Sequence, residues 1–205
     1  MLMRQRAFIL IIIILPFFLG MIVLGYWYWT VRVEKKVLLP MFGSVPDFAL
    51  TSQEKTPVTR GQLLGKVSIV DFVFTQCAGA CPMMSTKMSE LQARFKDDPH
   101  IVFVSFSVDP ETDTPDLLTQ YAKQYGAIKG KWIFLTGNKD SIYSLTKQGF
   151  HLGLDIEGED AIIHSQKFVL VDHHGSIRGY YDSEDAEAMK DLVRDAEILS
   201  GRVEP

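Results

Sequence analysis

Cysteine is nearly absent from this chain: 205 residues contain two, Cys77 and Cys81. Two sulfurs are too few to hold a metal by protein alone, so any ion bound there needs a third group. Charge is missing from one long stretch, with no charged residue between Arg6 and Arg32. Residues 7–29 are apolar almost throughout and long enough to cross a bilayer as one helix, closed by Tyr26-Trp27-Tyr28-Trp29 as an interfacial aromatic belt. No Ala-x-Ala-like cutting site follows, which argues for an uncleaved anchor rather than a signal peptide. A basic stripe is lacking too. Setting aside Arg4 and Arg6 leaves 19 of the 21 basic residues against 25 acidic ones, about −6 for the rest of the chain, so nucleic acid is not an expected partner. Beyond the anchor there is no repeat or low-complexity segment.

What is present divides into three parts: a transmembrane anchor over 1–29, a tether over 30–44 with Pro40, Gly43 and Ser44 near its end, and one domain over 45–205. Arg4, Arg6 and the terminal amine favour a cytoplasmic N-terminus. A reactive cysteine pair with no other thiol suits an oxidising compartment, which places the domain on the far side of the membrane.

The organising stretch is Val67 to Glu90. Its first eight residues, Val67-Ser68-Ile69-Val70-Asp71-Phe72-Val73-Phe74, read as a buried strand, and Pro82 suits the first position of a helix. Cys77-Ala78-Gly79-Ala80-Cys81 therefore straddles a strand-to-helix turn, where free amides and the helix dipole favour thiolate. Three intervening residues set the sulfurs about one turn apart, near enough for a disulfide or for one shared ion. A plain structural disulfide and two inert core thiols are the bland alternatives.

Downstream, Met84, Met88, Leu91 and Phe95 form one face of a helix running to about Lys96, which makes the methionines core residues rather than copper thioethers. Ile101 to Val108 reads as a second strand, ended by Asp109-Pro110; Thr114-Pro115-Asp116 opens a helix to about Tyr125. Trp132 to Leu135 is a third strand and Lys139 to Gln148 a third helix. Asp47 to Thr51 reads as an edge strand and Phe150 to Ile156 as another strand. Lys167 to Asp172 and Ser176 to Tyr181 form a hairpin through His173-His174-Gly175, and Asp182 or Ser183 caps a last helix. Strand, helix, strand, helix implies parallel strands, with ligands at their carboxyl ends, where Cys77 and Asp109 both fall.

Five histidines are available as a third ligand. His100 reads as a surface residue, His151 as structural, and His173 and His174 as solvated turn residues. His164 stands in a polar break, Ile163-His164-Ser165-Gln166, just before a strand, and its position alone leaves ligand and non-ligand readings open.

Cys77-x-x-x-Cys81-Pro82, then Ser107-Val108-Asp109-Pro110-Glu111-Thr112-Asp113-Thr114-Pro115, then His164-Ser165, in this order behind one anchor, resembles the SCO/SenC family over about Val45 to Leu199. The resemblance implies a thioredoxin-like α/β fold, a central mixed sheet with flanking helices behind a single N-terminal transmembrane helix. It implies a copper ion, Cu(I) or Cu(II), held by Cys77, Cys81 and His164, with Cys77 and Cys81 also able to act as a redox pair. The implied role is a chaperone for the dinuclear copper site of cytochrome c oxidase subunit II, kept reduced by a thioredoxin-like reductant, in the bacterial inner membrane with its domain in the periplasm. The chain departs from the family at Ala78-Gly79-Ala80, where Pro-Asp is frequent, at Ile163, where Asp is common, and at Thr112, where a basic residue is frequent. A metal-independent thiol-disulfide oxidoreductase is the rival reading, and a thiol peroxidase the third.

Overall fold

The computed structural model of the chain describes residues 17–26, 39–152 and 166–201. These belong to two units, one N-terminal and one beginning at Leu39. In the first, residues 17–26 are helical (α1). Among the described residues no helix is long and apolar enough to cross a membrane; the remainder of the expected anchor, 1–16 and 27–29, lies outside them.

In chain order the strands of the second unit are β1 (Gly43–Ser44), β2 (Ala49–Ser52), β3 (Pro57–Thr59), β4 (Val67–Val73), β5 (Ile101–Ser107), β6 (Trp132–Thr136), β7 (Lys167–Val171) and β8 (Ser176–Asp182). Its helices are α2 (Arg60–Leu63), α3 (Ala80–Arg94), α4 (Pro115–Gln124), α5 (Lys139–Ser144) and α6 (Ala186–Leu199), with a π-helical turn, Leu145–Gly149, directly after α5. One sheet runs β1-β8-β7-β4-β5-β6-β2-β3. β4, β5 and β6 are parallel, as the alternation of strand and helix requires, while β7 lies antiparallel to β4 and every outer pairing is antiparallel. The result is the expected mixed sheet with flanking helices.

All seven residues of β4 and of β5 are buried, because both faces of the sheet are covered, which is why these strands read as continuous apolar runs without alternation. Alternation governs direction instead. Val67, Ile69 and Val73 face a layer built from α3, α4 and α6, including Met84, Met88, Leu91, Phe95, Leu118 and Leu192. Val70 and Phe72 face the opposite layer, where Phe72, Phe106 and Phe150 pack with centroids 5.2 to 5.5 Å apart. Met84 and Met88 are at most 1 % exposed, as expected of core residues.

Several boundaries differ from expectation. Pro82 is the third residue of α3, not the first; it still falls in the first turn, where its missing N–H is no loss. The third helix changes to π-helical winding at Leu145, and Gly149 there is required by crowding, since a Cβ would sit 2.6 Å from Pro46 Cδ. Phe150 to Leu152 is not a strand, and residues 153–156 lie outside the described chain. β2 is not an edge: Pro57–Thr59 pairs outside it. Asp185, rather than Asp182 or Ser183, caps α6, accepting from Glu187 N at 2.8 Å.

Candidate metal centre

Both cysteines lie at the carboxyl end of β4, on the face covered by α3, α4 and α6. The ladder ends where Val108 N donates to Val73 O (3.0 Å), and Cys77 N donates to Phe74 O (3.2 Å), closing a turn. Among the described residues no side chain caps α3, which leaves the amides at its start to another acceptor. That acceptor is Cys77: Gly79 N donates to its Sγ at 3.4 Å. Burial alone would push the Cys77 thiol up, but the amides of Cys81, Gly79 and Ala80 together with the Cys81 thiol outweigh it and hold it below the ordinary thiol range. Cys81, the second residue of α3, lies deeper. Burial pushes its thiol up to about 12, and the neighbouring Cys77 and Asp71 act in the same direction. The two are free thiols of opposite character, one anion-ready and one proton-retaining.

Asp71 belongs to this site although the sequence reading passed over it. It sits mid-strand in β4, wholly buried, on the same side as Ile69, and among the described residues no donor makes a well-aligned hydrogen bond to either carboxyl oxygen. Burial lifts its carboxyl to about 7. Ser105, opposite it in register, offsets this only in part; its hydroxyl also accepts from the Trp132 indole at 2.9 Å, which leaves its O–H free to face the carboxyl. The one charged residue inside an apolar run was the available signal. Asp113 was also missed as a site residue. It is fully buried at the loop after β5 and accepts from Thr75 Oγ1 (2.5 Å), Ser107 Oγ (2.6 Å) and Thr75 N (3.2 Å). Asp109, the other strand-end carboxylate, is half-buried and accepts weakly from Thr112 N at 3.4 Å.

Of the histidines, His164 lies outside the described residues. The other four are not near the sulfurs. His100 precedes β5 and His173 follows β7, and their carbonyls accept from Val67 N and Gly65 N at the far end of β4 from Cys77. His174 adjoins His173, ring centroids 4.0 Å apart. His151 lies beside Gly43 at the sheet edge. Among the described residues no group of three or more His, Cys, Asp or Glu side chains converges as a metal site. What the structure does assemble is a pair of soft donors at a helix start, suited to Cu(I) or Zn(II) once a third ligand is added.

A dithiol on the strand-to-helix turn of a mixed, helix-flanked sheet defines a thioredoxin-like metal or redox module. Within that class the chain belongs to the SCO1/SenC family, whose model matches residues 42–197. It is 33 % identical over 164 residues to the SCO1 protein homolog of Bacillus subtilis, covering 78 % of this chain and 85 % of that one. It is similar to the structure of BsSco, a member of the Sco family of cytochrome c oxidase assembly proteins that is described as containing a disulfide switch (TM-score 0.70, 29 % identity, 80 % and 98 % of the two chains). It is also similar to Bradyrhizobium japonicum ScoI with copper bound (TM-score 0.59, 26 % identity, 74 % and 98 %).

Proposed function

We propose that this protein binds copper through Cys77, Cys81 and His164 and hands it on during assembly of the copper site of cytochrome c oxidase subunit II, anchored by residues 1–29 in a bacterial inner membrane with its domain in the periplasm. Copper is here the cargo. The observation that carries the reading is the free dithiol at the start of α3, with Cys77 held toward thiolate by backbone amides. Soft thiolates suit Cu(I); an added imidazole makes a three-coordinate site that also holds Cu(II) and stays open to ligand exchange. His164 is favoured by register. β7 enters the sheet from the cysteine end of β4, Val70 pairing with Val169, and His164 precedes Lys167 by three residues, about 10 Å of chain at most. The copper-bound relative supports the metal.

Titrating the reduced full chain in detergent with Cu(I) tests this. One equivalent should bind, and Cys77→Ser or Cys81→Ser should abolish tight uptake; a wild-type chain that takes up no stoichiometric copper refutes it. Affinity should fall on acidification, because the ligands bind deprotonated.

The unlike thiols favour one second reading, a metal-independent oxidoreductase in which Cys77 attacks a client disulfide and Cys81 resolves the mixed disulfide, with a thioredoxin-like protein as reductant. It needs both cysteines and not His164. Full activity of His164→Ala in oxidase assembly would favour it.

A further inference from the structure

We infer that a single segment, Asp113 to Tyr121, places both sulfurs, Asp113 through the Cys77 turn and Tyr121 through the helix that carries Cys81. The inference rests on Cys77 and Cys81 working as a dithiol, as proposed above. Two independent contacts carry it. Among the described residues Asp113 gathers three donors and no cation: Thr75 Oγ1 at 2.5 Å, Ser107 Oγ at 2.6 Å and Thr75 N at 3.2 Å to each carboxyl oxygen. Thr75 is two residues before Cys77, beyond the last strand rung at Val73, so Asp113 takes over from the ladder in fixing the chain as it enters the turn. At the other end of the segment, Tyr121 OH and Ser85 Oγ, both buried, form a hydrogen bond at 2.9 Å. Ser85 lies one helical turn after Cys81 in α3. Asp113 directly precedes Thr114, which caps α4 by accepting from Leu117 N at 3.3 Å, so the two contacts hang from one rigid element. Asp113 and Tyr121 are therefore positioning residues: neither is a ligand, and each acts through a neighbour of a cysteine.

Pre-organised thiols close a disulfide more readily than loose ones, because less freedom is lost on closure. The measurement is the equilibrium of the metal-free full chain with dithiothreitol, in which the Cys77–Cys81 disulfide plus the two reagent thiols exchange for two cysteine thiols plus the cyclic oxidised reagent. Asp113→Asn should lower the equilibrium constant for protein disulfide formation by about tenfold, roughly 30 mV for a two-electron couple, and Tyr121→Phe should lower it by about threefold on the same ground. Thr75→Ser, which keeps the hydroxyl, should restore wild-type behaviour where Thr75→Val does not. Thr119→Val is the control: it cuts the bond from α4 to Gln53 O (2.7 Å) without touching the cysteine neighbours, and should leave the equilibrium unchanged. If Asp113→Asn does not fold, Thr75→Val and Tyr121→Phe decide the matter. Constants indistinguishable from wild type in the folded variants, or a Thr119→Val shift as large as theirs, would overturn the inference. No copper enters the measurement, so a chain that fails to bind copper would refute the proposed cargo and leave this test standing.

Discussion

The two faces of the central sheet are made of different material. On one, Phe72, Phe106 and Phe150 pack against one another and with Val104, Leu135 and Val169 in an apolar layer. On the other, under α3, α4 and α6, the same strands turn Asp71, Ser105 and Ser107 inward, beside Asp113, Ser85, Tyr121 and both cysteines. Burying unpartnered polar groups costs stability, and a neutral residue at Asp71 would fold at least as well. Both faces supply stability, since Phe103, Trp132, Phe134 and Phe168 are buried on the cysteine face as Phe72, Phe106 and Phe150 are on the aromatic one, and the difference teaches that the cysteine face gives up part of it to hold reactive groups in place.

Truncating the aromatic face should give the largest loss. Phe150→Ala opens a cavity and should lower unfolding free energy by about 3–5 kcal/mol in urea denaturation, while copper uptake by the folded fraction stays at one equivalent. Loss of uptake in that fraction would break the division of labour. On the other face a substitution should stabilise. The Asp71 carboxyl is lifted from 3.8 to about 7 on folding, so the neutral form is the one the fold favours. Its contribution is fully present below about pH 4 and is lost as pH rises to 7. Asp71→Asn should therefore raise stability at pH 8 by up to about 4 kcal/mol, with the gain shrinking steadily toward pH 4. An equal gain at pH 8 and pH 4 would mean that the carboxyl titrates normally. The smallest effect is expected at Met88, which lies on the cysteine face yet only packs. Met88→Leu should cost less than about 1.5 kcal/mol and leave Cu(I) affinity unaltered; weakened binding would give the thioether a role at the metal.

Much of this was legible in the chain itself, for identifiable reasons. β4 and β5 announced themselves as apolar runs because both their faces are covered, and α4 because Thr114-Pro115-Asp116 combines a cap, a fixed φ and a first-turn acid. The turn carrying Cys77 and Cys81 followed from the strand before it and the proline after it. What escaped notice is either short or decided by which partner a residue finds. β1 and β3, of two and three residues, exist only through pairing with β8 and β2. The cap of α6 was misplaced because Asp182, Ser183 and Asp185 all offer suitable oxygens, and Asp182 instead accepts from Glu184 N at 2.9 Å. Asp113 looks no different in sequence from Asp109 or Asp116; only burial beside Thr75 and Ser107 separates them. His164 remains an assignment from resemblance and register, since it lies outside the described residues.

The decisive measurement is therefore Cu(II) loading of the full chain with reduced cysteines, wild type beside His164→Ala, followed by thiolate-to-copper charge-transfer absorption and by competition for affinity. With the imidazole as third ligand, the variant should lose the wild-type absorption envelope and bind Cu(II) at least about tenfold more weakly, in line with the cost of disturbing a metal's coordination. Identical spectra and affinities in the two proteins would remove His164 from the site and, with it, the three-ligand copper centre.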